Sequence, residues 1–137
     1  MDRELGQRIP STLAALERAA AEVRQFLARE GVDREASFAV DLALEEIGSN
    51  IILHGLGGAA DHEIGVRVRV EPGRVVLVVD DDGPPFDPTA QPPPALDLSL
   101  DERPIGGLGI HLVTATTTSA GYSRIGGRNT LELVVAR

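Results

Sequence analysis

The chain has 137 residues, 42% of them hydrophobic, and a formal net charge of −8. That length suits one domain with a core filled by Leu, Val, Ile and Ala, and the absence of Cys excludes disulfides, zinc thiolates and thiol catalysis. The negative balance opposes nucleic-acid binding, which needs a basic footprint, and because all 13 basic side chains are Arg, a Walker A loop, a eukaryotic-type kinase lysine and Schiff-base chemistry are excluded as well.

Residues 4–9 are expected to form a short edge strand. Ser11 or Thr12 then reads as an N-cap, its hydroxyl satisfying free amides of the first helical turn. From Leu13 to Arg29 apolar residues recur at helical spacing, at Leu13, Leu16, Ala20, Val23, Phe26 and Leu27. Gly31 ends that helix, and Asp33 caps a second one running to about His54, stopped by Gly55, Gly57 and Gly58. Ile64, Val66, Val68 and Val70 alternate with Arg67 and Arg69, which predicts a half-buried strand. A turn at residues 71–74 leads into the apolar run 75–79, an inner strand covered on both faces. Residues 83–104 are rich in Pro and Asp and lack periodicity, so they read as a functional or mobile loop. A helix is predicted over about 109–117, held by packing because it is rich in β-branched residues. Two strands, 119–125 and 130–136, close the chain around a Gly126-Gly127 turn. The predicted architecture is an α/β (α+β) two-layer sandwich, a mixed, largely antiparallel sheet with helices on one face. No stretch has the length and apolarity of a membrane span, no signal-peptide stretch opens the chain, and a soluble cytoplasmic protein is expected.

Three segments carry candidate chemistry. On the second helix Glu46, Asn50 and His54 lie four apart and stack on one face. Asn50 offers a neutral oxygen suited to a hard cation such as Mg²⁺, and Glu46 is placed to orient or deprotonate a hydroxyl. The same spacing also describes an exposed polar stripe with ordinary i,i+4 contacts. After the apolar strand, Asp80-Asp81-Asp82-Gly83-Pro84-Pro85-Phe86 brings carboxylates to a strand end, where one can accept from the exocyclic amine of adenine. Gly83 allows close approach of a flat base. An acidic turn is the other reading. Gly106, Gly107, Leu108 and Gly109 precede an apolar helix, so their amides can point at phosphate with the helix dipole behind them, assisted by Arg103. A flexible linker has the same composition. Thr130 is either a hydroxyl near an adenine site or a plain β-branched strand residue. His54 reads more simply as a helix C-terminal His, and His62 and His111 show no metal pattern.

In this order the segments resemble the GHKL ATPase superfamily with its Bergerat-type ATP-binding fold. More closely, the chain resembles the stand-alone bacterial anti-sigma-factor serine/threonine protein kinases. Glu46-x-x-x-Asn50-x-x-x-His54 is similar to their N box. Asp81-x-Gly83-x-Pro85-Phe86-Asp87 is similar to the next box, and Gly106-Gly-Leu-Gly-Ile-His-Leu-Val113 to the glycine box. Gly126-Gly-Arg-Asn-Thr-Leu131 is similar to the last hairpin. The resemblance implies one ATP-binding, kinase-like domain over 1–137 with an ATP lid at about 87–104. It implies Asn50 on Mg²⁺ and Asp81 on the adenine amine, with Gly83, Pro85, Phe86 and Thr130 nearby and the glycine box on the phosphates. Glu46 would activate a partner serine. Implied partners are a sigma factor, an anti-anti-sigma (STAS-type) protein and a second copy of the chain. Neither direct nucleic-acid contact nor a membrane is implied.

Overall fold

The computed structural model describes residues 3–90, 113 and 115–137. The first strand, β1 (Arg3–Pro10), leads into helix α1 (Leu13–Arg29). The Thr12 hydroxyl oxygen accepts from the Ala15 amide at 3.1 Å and caps that helix. Ser11, the other candidate cap, is buried instead and donates to the Ala59 carbonyl at 2.7 Å. Helix α2 (Arg34–Asn50) starts at Asp33, whose carboxylate lies 3.5 Å from the Ala36 amide. At Asn50 the helix widens into a π turn, Ile51–Gly55, marked by the bond from the Leu56 amide to the Ile51 carbonyl at 2.7 Å.

Strands β2 (Glu63–Glu71) and β3 (Arg74–Asp81) form a hairpin, as do β4 (Ser119–Ile125) and β5 (Arg128–Ala136). Between the latter, Gly126 and Gly127 take φ of 60° and 76°, left-handed values that a side chain resists and a two-residue hairpin turn requires. The sheet order is β1-β2-β3-β5-β4. Every pairing among the described residues is antiparallel, so no parallel strand accompanies the predicted antiparallel ones there.

Alternation along the strands separates two faces. Ile64, Val66, Val68 and Val70 of β2 line up with Val75, Leu77 and Val79 of β3, and these with Leu131, Leu133 and Val135 of β5. All are buried beneath Leu16, Val23 and Leu27 of α1 and Val40, Leu44 and Ile47 of α2. Each such side chain taken out of water contributes roughly 1.5–3 kcal/mol. The predicted helical stripe of α1 shifts at its start: Leu13 is exposed, on the solvent side of the first turn, while Ala15, Leu16 and Ala19 are buried. On the other sheet face Val76 and Val78 are buried too. Their register neighbours include Arg67, Arg69 and Glu132, whose long stems cover apolar sheet surface, with no second helix layer there among the described residues.

Candidate functional site

Three consecutive aspartates at the end of β3 go three ways, because strand alternation and then a turn separate them. Asp80 points to the open face, where Arg128 pairs with it at 2.5 Å and Arg8 at 3.7 Å. Gly65 makes room for it, since a Cβ there would stand 2.5 Å from the Asp80 carboxylate. Asp82, just beyond the strand, meets His62 Nδ1 at 2.8 Å. The bond from His62 holds the Asp82 carboxyl below its usual range, and the same bond raises the His62 imidazole.

Asp81 points inward and is only 2% exposed. One of its oxygens, Oδ2, accepts from the Gly83 amide at 2.9 Å and from Asn129 Nδ2 at 3.2 Å. The other, Oδ1, is buried and has no hydrogen-bond partner among the described residues. A bare oxygen on a buried carboxylate is costly unless a donor arrives to meet it. The residues present therefore fit a ligand that brings an N–H, such as the exocyclic amine of adenine.

The loop after Asp81 packs on the turn after Asn50. A Cβ on Gly83 would collide with Leu56, and a Cβ on Gly55 would stand 2.8 Å from Phe86. Two glycines, one on each segment, thus let the loop and the π turn meet. Phe86 is half-buried and its amide donates to Asn129 Oδ1 at 3.1 Å. Pro85 is exposed. Asp87 closes a small turn by accepting from the Thr89 amide at 2.9 Å and the Thr89 hydroxyl at 2.6 Å.

On α2, Asn50 is buried and its Nδ2 donates to the Glu46 carbonyl at 2.7 Å. Its amide nitrogen is committed, which leaves Oδ1 as the atom free to ligate a cation. Glu46 is half-buried one turn earlier. His54 does not join them. The π turn adds a residue to the coil, rotates the chain, and leaves His54 exposed while Asn50 is buried. Among the described residues no three His, Asp or Glu side chains are grouped to hold a metal. A magnesium ion at Asn50 would take its other oxygens from phosphate and water, which suits the habits of that ion.

Thr130 is not brought to Asp81. It stands in register with Asp80 and Ser123, on the open face of the sheet. The residue beside Asp81 is Asn129, its direct register partner. Asn129, Tyr122 and Arg124 were not singled out from the sequence as site residues. The signal for Asn129 was nonetheless present: Leu131, Leu133 and Val135 are the apolar, inward positions of β5, and the same parity turns Asn129 in and Thr130 out. Gly106, Gly107, Leu108, Gly109, Arg103 and His111 lie outside the described residues, as do lid positions 91–104. Of the helix predicted over 109–117, only residues 113 and 115–117 are described; Val113, Ala115 and Thr116 are helical. An open cleft lined by Asp33, Phe38, Thr117 and Arg137 lies at the other end of α2 and is separate from this site.

Comparison with known proteins places the chain in a family and a fold. Residues 9–135 match the model of the histidine kinase-like ATPase domain. A stretch of 96 residues is 31% identical to the serine/threonine-protein kinase BtrW of Bordetella bronchiseptica, taking in 70% of this chain and 68% of that protein. In fold, the chain is similar to the RsbU and RsbW domains of Rv1364c from Mycobacterium tuberculosis, with a TM-score of 0.66 at 19% identity over 98% of this chain and 32% of that one. It spans about a third of that larger protein. It is also similar to the SiaB–SiaC complex of Pseudomonas aeruginosa, with a TM-score of 0.62 at 21% identity over 97% of this chain and 89% of that one.

Proposed function

The chain belongs to the histidine kinase-like ATPase domain family, and from that premise we propose that it is an ATP-dependent serine protein kinase of the anti-sigma type. It would phosphorylate a serine of an anti-anti-sigma (STAS-type) partner and sequester a sigma factor. The observation that carries the nucleotide part is the bare, buried Oδ1 of Asp81 beside the turn that follows Asn50. Similarity to a protein named serine/threonine-protein kinase supports the transfer part.

In this reading Asp81 accepts the adenine amine and Gly83 keeps the base plane close to the backbone. Asn50 Oδ1 would hold a magnesium ion, which would neutralise phosphate charge. Gly106, Gly107, Leu108 and Gly109 supply amides to the phosphates, which matters more in a chain with no Lys. Glu46 takes the proton of the acceptor serine as its oxygen bonds to the γ-phosphorus and the bond to the β–γ bridging oxygen breaks. The protein contributes positioning and dipoles more than covalent chemistry.

The test is affinity capture from a native lysate with Mg²⁺-ATP and with Mg²⁺-ADP, read by mass spectrometry for partners and phosphosites. A sigma factor, or a small partner newly phosphorylated on serine, is expected. Two variants separate the roles. Asn50→Ala abolishes metal-dependent nucleotide binding, whereas Glu46→Gln binds ATP normally and loses transfer by about 10²–10⁴-fold. If Glu46→Gln binds ATP and changes nothing downstream, the chain is a non-catalytic, nucleotide-gated binding module.

A further inference from the structure

Asn129 sits at the centre of five hydrogen bonds. Its Nδ2 donates to Asp81 Oδ2 at 3.2 Å and to the Pro84 carbonyl at 2.8 Å. Its Oδ1 accepts from the Phe86 amide at 3.1 Å, the Tyr122 hydroxyl at 2.5 Å and Arg124 Nη1 at 3.0 Å. Arg124 Nη1 also donates to the Gly83 carbonyl at 2.8 Å. These partners leave the amide a single orientation. The Phe86 N–H and the guanidinium can only donate, and the carboxylate and Pro84 carbonyl can only accept, so a flipped amide would oppose like with like on both sides.

That orientation has a consequence for Asp81. Asn129 and Gly83 together fill Oδ2, so the carboxylate cannot turn to present that oxygen elsewhere. Oδ1 is left as the free edge, buried and able only to accept. We propose that Asn129 is the positioning residue for base selectivity: it pins Asp81 as an acceptor-only carboxylate, so the pocket takes a purine carrying an amine at C6 and rejects one carrying a carbonyl. Through Tyr122 and Arg124 the same amide ties the Asp81 loop to the β4–β5 hairpin. The inference rests on the ATP reading above. Rejection is strong in a site of this kind because the wrong base sets an acceptor against the buried acceptor Oδ1.

The experiment measures dissociation constants for ATP and inosine triphosphate, which differ at C6, on the wild type and on Asn129→Asp and Asn129→Ser. The selectivity ratio is the readout, because a general loss of stability weakens both nucleotides alike. Wild type is expected to prefer ATP by at least about tenfold. Asn129→Asp keeps the shape but puts a second carboxylate against Asp81; the two then share a proton, and Asp81 ceases to be a pure acceptor. Both variants are expected to bring the ratio within about threefold of unity. Should these buried changes prevent folding, the double variant Tyr122→Phe/Arg124→Met, on the edge strand β4, removes two of the three donors that fix the amide and is expected to lower the ratio at least about threefold. A wild type that discriminates while folded variants discriminate equally well overturns the role of Asn129 and leaves the ATP site standing. A wild type that binds neither nucleotide, or both alike, overturns the ATP reading of Asp81 together with this inference.

Discussion

Asp82 and His62 illustrate how neighbouring residues divide labour. Their contact ties the start of β2 to the loop that carries the candidate site, one residue beyond Asp81. The bond from His62 lowers the Asp82 carboxyl, and the bond to Asp82 raises the His62 imidazole against some desolvation, with Asp61 and Asp81 adding negative charge nearby. A base whose folded value is raised contributes stability fully below its ordinary value near 6.5 and loses it as pH climbs through the raised value. An acid whose folded value is lowered contributes above its ordinary 3.8 and loses that contribution as pH falls through the lowered value. The pair therefore stabilises most between those limits, and modestly, since both groups meet solvent. Melting curves from pH 5 to 9 should show wild type exceeding His62→Gln at the acid end, with the gap narrowing above about pH 6.5. A gap that does not move with pH would mean the contact is not ionic. Nothing in the sequence joins His62 to Asp82: they lie 20 residues apart and meet only because β2 and β3 pair with Ile64 opposite Asp81.

At the scale of elements, α2 shows where reading by periodicity succeeds and where it stops. Its cap at Asp33 and its buried stripe of Val40, Leu44, Ile47 and Ile51 follow from spacing alone. The widening at Ile51–Gly55 does not, because an i→i+5 turn has no strong residue signature and is stabilised by what packs on it, here Gly83 and Phe86 against Leu56 and Gly55. The contact between α1 and α2 depends on Gly48. A Cβ there would stand 2.6 Å from a methyl of Leu16, itself only 4% exposed. Replacing Gly by Ala in a helix gains about 1 kcal/mol in propensity, whereas overpacking a tight core costs about 1–3 kcal/mol. Overpacking is expected to win, so Gly48→Ala should lower unfolding free energy by about 1 kcal/mol in urea titration. A variant as stable as wild type would mean Leu16 swings aside without strain.

For the whole molecule, one core joins both helices to the inner face of the sheet, with Leu44 fully buried in it. Leu44→Ala removes contacts that cannot be remade and should cost about 2–5 kcal/mol, a large part of the roughly 5–15 kcal/mol that holds a domain together. Urea unfolding of the variant checks this, and a loss below about 1 kcal/mol would mean the core collapses around the gap. Among the described residues, the strands, the two long helices, their caps and both hairpins were legible in the chain, because each depends on residues near one another: alternation, i,i+4 spacing, an Asp before a helix, paired glycines between strands. Membership in an ATPase family followed from those local patterns read together. What only the tertiary structure decided was which polar atoms meet. Parity along β5 already turned Asn129 inward and Thr130 outward, but register alone set Asn129 directly opposite Asp81, and the π turn parted His54 from Asn50. Three adjacent aspartates were sent to three different partners. Such pairings depend on strand register and on segments tens of residues apart coming within 3 Å, and no local pattern encodes that distance.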